Sequence, residues 1–148
     1  MRAVVARVRS ASVEIEGKVH GKIEKGFLVL LGVHVDDTEA EARKIADKIC
    51  GLRIFEDENG KINVNPLNAG AANLLIISQF TLFADCSSRR PGFSHAARPE
   101  LAIPLYELVI AECRARGFHV ETGFFGAEMQ VASVNDGPMT IILDTKEL

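Results

Sequence analysis

The chain predicts a mixed α+β sandwich in which two main helices lie against a bent, largely antiparallel, barrel-like sheet. Three observations carry that expectation. Strand-like runs fall into three groups separated by two helical patterns, giving the order strands, helix, strands, helix, strands. The run GFLVLLGV, from Gly26 to Val33, is almost unbroken in its apolarity, as a central strand covered on both faces must be. Each helical pattern also carries its own start signal. With 148 residues and no linker, repeat or low-complexity tract, residues 1–148 are expected to form a single domain.

Residues 2–9 and 12–16 alternate apolar and polar side chains and read as two strands. Gly17 and Gly21 mark turns before a third short strand at Lys22 to Glu24. After the Gly26 to Val33 run, Asp36 and Asp37 read as solvated loop residues. They lead to Thr38-Glu39-Ala40-Glu41, where the threonine and glutamate side chains can each satisfy the other's free backbone N–H at a helix start. Ile45, Ile49 and Leu52 then give one apolar stripe, and Gly51 marks the helix end. Asn59-Gly60 predicts a two-residue hairpin turn, because both positions of that turn favour positive φ. Residues 63–73 are loop-like.

The stretch that organises the rest is LLIISQFTLFA, Leu74 to Ala84, an apolar strand pattern with Ser78, Gln79 and Thr81 set into its second half. Buried polar side chains must find hydrogen-bond partners or cost roughly 1 to 3 kcal/mol each. They mark either a satisfied structural network or the wall of a polar pocket. Residues 85–96 form a loop long enough to be functional. A second helix is expected from about Pro99 to Arg116, with a late start or a bend at Pro104. Its packing face is Leu101, Leu105, Tyr106, Leu108 and Val109, and Gly117 ends it. Phe118 to Thr122, Glu128 to Val134 and Met139 to Asp144 are the last strand signals. Between the final two lies NDGPMT, Asn135 to Thr140, where a cis Gly137-Pro138 bond would turn carbonyls out of the sheet and a bare Gly137 would let the main chain approach a ligand. The SQFT and NDGPMT segments are expected to form one site.

Composition narrows the function classes. Hydrophobic residues make up 47% and charged residues 25%, and no apolar run approaches the roughly 18 residues of a membrane span, so a soluble protein with no membrane partner is expected. Cys50, Cys86 and Cys113 are scattered and show no CxxC pairing, which points to a reducing cytoplasm and away from a disulfide framework or zinc site. The net charge of −3 supplies no basic field for nonspecific nucleic-acid binding, so a nucleic acid must be gripped locally; Arg89, Arg90 and Arg98 are the candidate patch. No nucleophile elbow, phosphate loop or His-x-x-x-His pair is present. A side-chain triad of Ser78 or Ser87 with His95 and Asp85 remains open on sequence. The cysteines read as core or loop residues, and no metal or cofactor is expected.

SQFTLFA at 78–84 and NDGPMT at 135–140 resemble the paired SQFTLxA and NxGPxT signatures of the D-aminoacyl-tRNA deacylases, also called D-tyrosyl-tRNA deacylases. The similarity extends to MRAVVARV at the start, LVLLGV at 28–33, ADKICGLRIFEDENGKIN at 46–63, RRPGFS at 89–94 and ETGFFGAEMQV at 121–131. The resemblance implies a homodimeric, cytoplasmic esterase that removes D-amino acids, and misattached glycine, from the 3′ end of tRNA. By carry-over, Ser78, Gln79, Phe80 and Thr81 would line the pocket for the aminoacylated terminal adenosine, with main-chain N–H groups near Gln79 and Phe80 facing the ester. Gly137 and Pro138, in cis, would enter the partner subunit's pocket and exclude an L side chain. Arg7 matches the arginine that holds that pair in orientation, and Phe125 and Met129 match positions beside the terminal adenine. A sister family of relaxed chirality has Thr where this chain has Gly137. Two features depart from the family pattern: Pro104 inside the second helix, and Cys86-Ser87-Ser88 in place of a more basic stretch.

The implied chemistry is simple. An aminoacyl ester sits beside a ribose 2′-OH that can assist its hydrolysis, so the protein need only position the ester and stabilise the oxyanion. The same hydroxyl separates RNA from DNA, and an RNA partner is expected in place of DNA. Thr81 then reads as a positioning residue. Two other classes stay in view: a noncatalytic RNA-binding module on the same sheet, and a side-chain hydrolase centred on His95.

Overall fold

The computed structural model, which describes residues 1–148, is built on β1 (Arg2–Ile15), one strand where two are expected from sequence. The chain reverses at Glu16 and Gly17, both at positive φ (52° and 78°), a pair that matches hairpin twist. It returns as β2 (Lys18–Ile23), antiparallel to β1. Gly21 is therefore not a turn. It lies inside β2 opposite Val13, where a Cβ would come within 3.0 Å of the Thr122 carbonyl oxygen.

β3 (Gly26–Gly32) follows, also antiparallel to β1, with Arg2 opposite Gly32 and Val8 opposite Gly26. The helix α1 (Glu39–Gly51) starts at the expected capping box: the Glu41 carboxylate accepts from the Thr38 N–H at 2.8 Å, and the Thr38 hydroxyl accepts from the Ala40 N–H. Asp37 departs from the expected solvated loop. It is buried, accepting from the Met1 ammonium at 2.8 Å and from the His34 N–H at 2.7 Å, because its carboxylate is the only anionic partner given to that buried ammonium.

β4 (Phe55–Glu56) and β5 (Ile62–Val64) form the short hairpin. The expected two-residue turn is replaced by the wider connection Asp57 to Lys61, in which Gly60 alone has positive φ (75°). Asp57 organises it, donating its N–H to the Lys61 carbonyl at 2.8 Å while its carboxylate accepts from the N–H groups of Asn59 and Lys61.

β6 (Asn73–Ser78) runs parallel to β3, with Phe27 opposite Leu74 and Leu31 opposite Ser78. The strand expected to reach Ala84 stops there, and Phe80–Phe83 is one turn of 3₁₀-helix. α2 (Pro99–Ala115) starts at Pro99 and continues through Pro104, so the late start is not observed. Pro104 is exposed, which lets water serve the carbonyl its missing N–H leaves free. β7 (His119–Thr122) lies parallel to β6, and β8 (Gln130–Asp144) runs antiparallel to β1 along almost its whole length. The two strands expected either side of Gly137-Pro138 are thus one.

The sheet order is β2-β1-β3-β6-β7, with β8 also on β1. His20 Nδ1 lies 2.8 Å from the Thr122 carbonyl oxygen, which brings β2 back to β7 and nearly closes the barrel. Alternation along the strands divides the apolar side chains between two clusters. Phe27, Val29, Leu74 and Ile76 meet Ile45 and Ile49 of α1 and Leu105, Val109 and Cys113 of α2. Leu28, Leu75 and Ile77 join Val8, Val13 and Ile23 on the opposite face. Both faces of β3 and β6 are covered, and this explains their nearly continuous apolar sequences. No helix is long and apolar enough to cross a membrane.

Candidate functional site

Leucine and isoleucine carry β6 through the core to Ser78, which is half-buried, and there the polar residues end the strand. The Gln79 N–H makes the last ladder bond, to the Leu31 carbonyl at 2.8 Å. It is therefore occupied and does not face a ligand, in contrast to the expectation from resemblance. The first bond of the 3₁₀ turn runs from the Leu82 N–H to the Gln79 carbonyl at 3.2 Å, so the N–H groups of Phe80 and Thr81 precede it and have no partner within the turn. The Gln79 side-chain amide donates to the Thr81 hydroxyl. Phe80 and Thr81 are exposed.

Two outside contacts hold this turn, and a third holds the strand that leads into it. Arg2 donates from Nη1 to the Leu82 carbonyl at 2.7 Å, its guanidinium carbon lies 4.7 Å from the Phe83 ring centroid, and its Nε and Nη2 bind Asp144 Oδ2 at 3.1 and 3.0 Å. Burial pushes the Asp144 carboxyl upward, but the Lys146 N–H and the Arg2 guanidinium outweigh it and hold it below the usual carboxylate range. From α2, the Tyr106 hydroxyl donates to the Ile76 carbonyl at 2.6 Å, and burial raises its pKa. Phe93 meets Phe80 edge to face with centroids 5.1 Å apart. Arg2, Tyr106 and Phe93 were not singled out as site residues from sequence. For Phe93 a signal existed, a lone aromatic in a Pro- and Gly-bearing loop; for Arg2 there was none.

Phe125 and Met129 come to the same end of β6. Phe125 packs edge to face on Tyr106 with centroids 6.3 Å apart. Met129 lies against Gly123 so closely that a Cβ there would collide with its sulfur and come within 3.3 Å of Ile77 Cδ1. Phe125, through Tyr106, and Met129, beside Gly123 and Ile77, thus lie near the β6 residues that precede Ser78.

Gly137, Pro138 and Arg7 form a second constellation. The Gly137-Pro138 bond is cis, with Gly137 at φ 124°. Ala6 pairs with Thr140 and Val8 with Asn135, so Arg7 alone spans the four β8 residues from Asp136 to Met139. Arg7 is buried, donating from Nε to the Asp136 carbonyl at 3.2 Å and from Nη1 to the Ile54 carbonyl at 2.6 Å. A cavity of about 520 Å³ lies beside this bulge, lined by Arg7, Lys25, Phe55, Asp57, Asn68 and Asp136 among others. Gly137 and Pro138 themselves are exposed.

One chain does not unite the two constellations. Ser78 is in register with Leu31 and Ala3, whereas the bulge is centred on Arg7, four residues further along β1. At about 3.3 Å per residue that is on the order of 13 Å along the strands alone, before crossing from β6 to β8.

No hydrogen bond joins the His95 ring to Asp85, Ser78 or Ser87. Ser87 gives Asp85 its backbone N–H at 2.9 Å, and this bond, with the Ser87 side chain and the charge of His95, holds the Asp85 carboxyl below its usual range. His95 instead stacks near His34 with centroids 6.1 Å apart. Cys50 and Cys113 are buried and Cys86 is exposed. No group of three or more His, Cys, Asp or Glu side chains comes together in metal-binding geometry.

The family described as D-Tyr-tRNA(Tyr) deacylase matches residues 4–144. A D-aminoacyl-tRNA deacylase of Thermosipho africanus (strain TCF52B) is 53% identical over 149 residues, covering 100% of this chain and 99% of that protein. One from Koribacter versatilis (strain Ellin345) is 55% identical over 148 residues, covering 99% of each. A solved structure described as c-Myc DNA Unwinding Element Binding Protein superposes with a TM-score of 0.90 at 38% identity, covering 97% of this chain and 98% of that one. With the family matched from β1 to the end of β8 and full-length relatives above half identity, the chain belongs to the D-aminoacyl-tRNA deacylase family.

Proposed function

We propose that this chain hydrolyses the ester of D-aminoacyl-tRNA, and of mischarged glycyl-tRNA, releasing the amino acid from the tRNA 3′ end in the cytoplasm. The observation that carries the reading is the pair of N–H groups at Phe80 and Thr81, set at the start of an exposed turn fixed from outside by Arg2 and Phe93. Preorganised donors of this kind stabilise the oxyanion that forms when water attacks an ester carbonyl. The neighbouring ribose 2′-OH supplies the proton relay, so neither a side-chain nucleophile nor a metal enters the scheme. Thr81, held by the Gln79 amide, positions the ester. Phe125 and Met129, at the same end of β6, provide the surface for the terminal adenine.

Chirality is selected by a second copy. The exposed Gly137-Pro138 bulge is out of reach of its own Ser78–Thr81 turn, and β8 bears the exposed apolar residues Val131, Val134 and Ile142, a surface suited to a homodimer. Gly137 and Pro138 of each chain then enter the partner's pocket, where rigid main chain excludes an L side chain. Arg7 fixes the bulge by holding the Asp136 carbonyl.

The test is release of amino acid from matched D- and L-tyrosyl-tRNA by purified protein, with and without a chelator. Rapid loss of the D-ester alone, unaffected by chelation, is the expected result. Binding of tRNA without turnover would return the chain to a noncatalytic RNA-binding module, and equal turnover of both esters would overturn the selectivity scheme.

A further inference from the structure

The loop after the 3₁₀ turn displays an aromatic pair that oxyanion stabilisation does not use. Asp85 and Gly92 exchange backbone hydrogen bonds at 2.7 and 2.9 Å, closing residues 86–91 into a small loop. That closure delivers the next residue, Phe93, to the side of Phe80, with centroids 5.1 Å apart and ring planes at 73°. Both rings remain in solvent, Phe80 at 51% and Phe93 at 39% exposure. An edge-to-face pair leaves a broad ring face uncovered, the surface on which a nucleobase stacks. The same segment carries Arg89, Arg90 and Arg98, all exposed and all without an acidic partner. In a chain of net charge −3, three unpaired guanidinium groups carried within nine residues of Phe80 or Phe93 along the chain complement a polyanion that carries flat bases.

We infer that Phe93, with the outer face of Phe80, is a stacking platform for an unpaired base of a single-stranded RNA 3′ end, and that Arg89 and Arg90 hold the adjoining phosphates. The inference rests on the deacylase reading and extends it. Because the Phe80 N–H is assigned to the reacting ester, the base on the platform belongs to the nucleotide next inward from the terminal one. Stacking uses the ring face that every base shares, so the platform reads length and single-strandedness with little regard to sequence.

The experiment compares D-tyrosyl esters of three lengths: adenosine, the trinucleotide CCA, and full tRNA. Turnover of the adenosine ester by wild-type protein tests the deacylase reading itself, and the dependence on length tests the platform. Phe93→Ala should lower kcat/KM for the trinucleotide and tRNA esters by about tenfold more than for the adenosine ester, mainly through KM, and Phe93→Trp should restore it. Arg89→Gln with Arg90→Gln should reduce the dependence of log KM on log salt for the tRNA ester by a slope of about 1 to 2. Equal loss on all three substrates would mean that Phe93 only supports the Phe80 turn, and the platform would be overturned. So would unchanged kinetics, or a Phe93→Ala protein that sediments as monomer where wild type is dimeric, since a second copy would then cover the rings.

Discussion

Arg2, at the start of the chain's first strand, donates a 2.7 Å hydrogen bond to the carbonyl of Leu82, eighty residues later and inside the turn that bears Phe80 and Thr81. Its other nitrogens are fixed by Asp144 at the end of β8. The turn is therefore held by residues outside its own segment. Arg2→Met should preserve the fold and lower kcat for the D-ester about fivefold, the value of one ordinary hydrogen bond of about 1 kcal/mol. Single-turnover hydrolysis at saturating enzyme measures it, and an unchanged rate would show that the turn keeps its position without Arg2.

Asp144 gives this latch a pH dependence. Its folded pKa is depressed, so its contribution to stability is present above the unfolded value of about 3.9 and disappears as pH falls through the folded value. Urea midpoints of wild type and Asp144→Asn should differ by a constant amount at neutral pH and converge below about pH 4. A gap that widens in acid would contradict the assignment.

Gly137 sits at φ 124°, where an added Cβ would lie 3.0 Å from the Met139 nitrogen and 3.1 Å from Arg7 Nη2. Gly137→Ala should destabilise the protein by about 1 to 3 kcal/mol and narrow the ratio of D- to L-ester hydrolysis. Thermal unfolding and paired turnover assays read the two effects separately.

Tyr106 is buried and its hydroxyl donates to the Ile76 carbonyl from outside the sheet. Tyr106→Phe removes that donor while keeping the ring against Phe125, so a loss of about 1 kcal/mol in unfolding free energy is expected. Leu105→Ala, at a buried position of the same helix within the apolar cluster, should cost about 2 to 5 kcal/mol and so calibrates the comparison.

Thr81 has the Gln79 amide as hydrogen-bond partner, and no histidine or carboxylate is hydrogen-bonded to its hydroxyl. Thr81→Ser and Thr81→Ala should both retain measurable deacylation. Mass spectrometry of the quenched reaction would reveal an acyl group on Thr81 if it were the nucleophile.

The features readable in sequence were those fixed by neighbours a few residues away. Thr38 and Glu41 meet within one helical turn, and Gly26–Gly32 announces two-sided burial by its apolarity. The misread features depend on distant partners. Asp37 looks solvated until Met1 arrives beside it, and Gly21 looks like a turn until β7 passes over it. LLIISQFTLFA resumes apolar residues after its polar insertions, so its pattern hides the change from strand to 3₁₀ turn at Gln79, where the β3 ladder ends. Gly137-Pro138 suggests a break, yet β1 continues alongside and Arg7 fills the gap. At the site, the two signature segments were visible as motifs, whereas their separation followed only from register.

The long pairing of β1 with β8 also sets a constraint on synthesis. Residues 2–14 emerge from the ribosome well over a hundred residues ahead of most of their partners at 130–144. Until then β1 holds only β2 and β3, and one edge of a fourteen-residue strand stays open to any extended chain nearby. Closing such distant contacts is slow. Messages truncated before Gln130 should therefore yield aggregating product, and crowding on polysomes, where many such edges are displayed together, is the condition under which this protein most needs a chaperone.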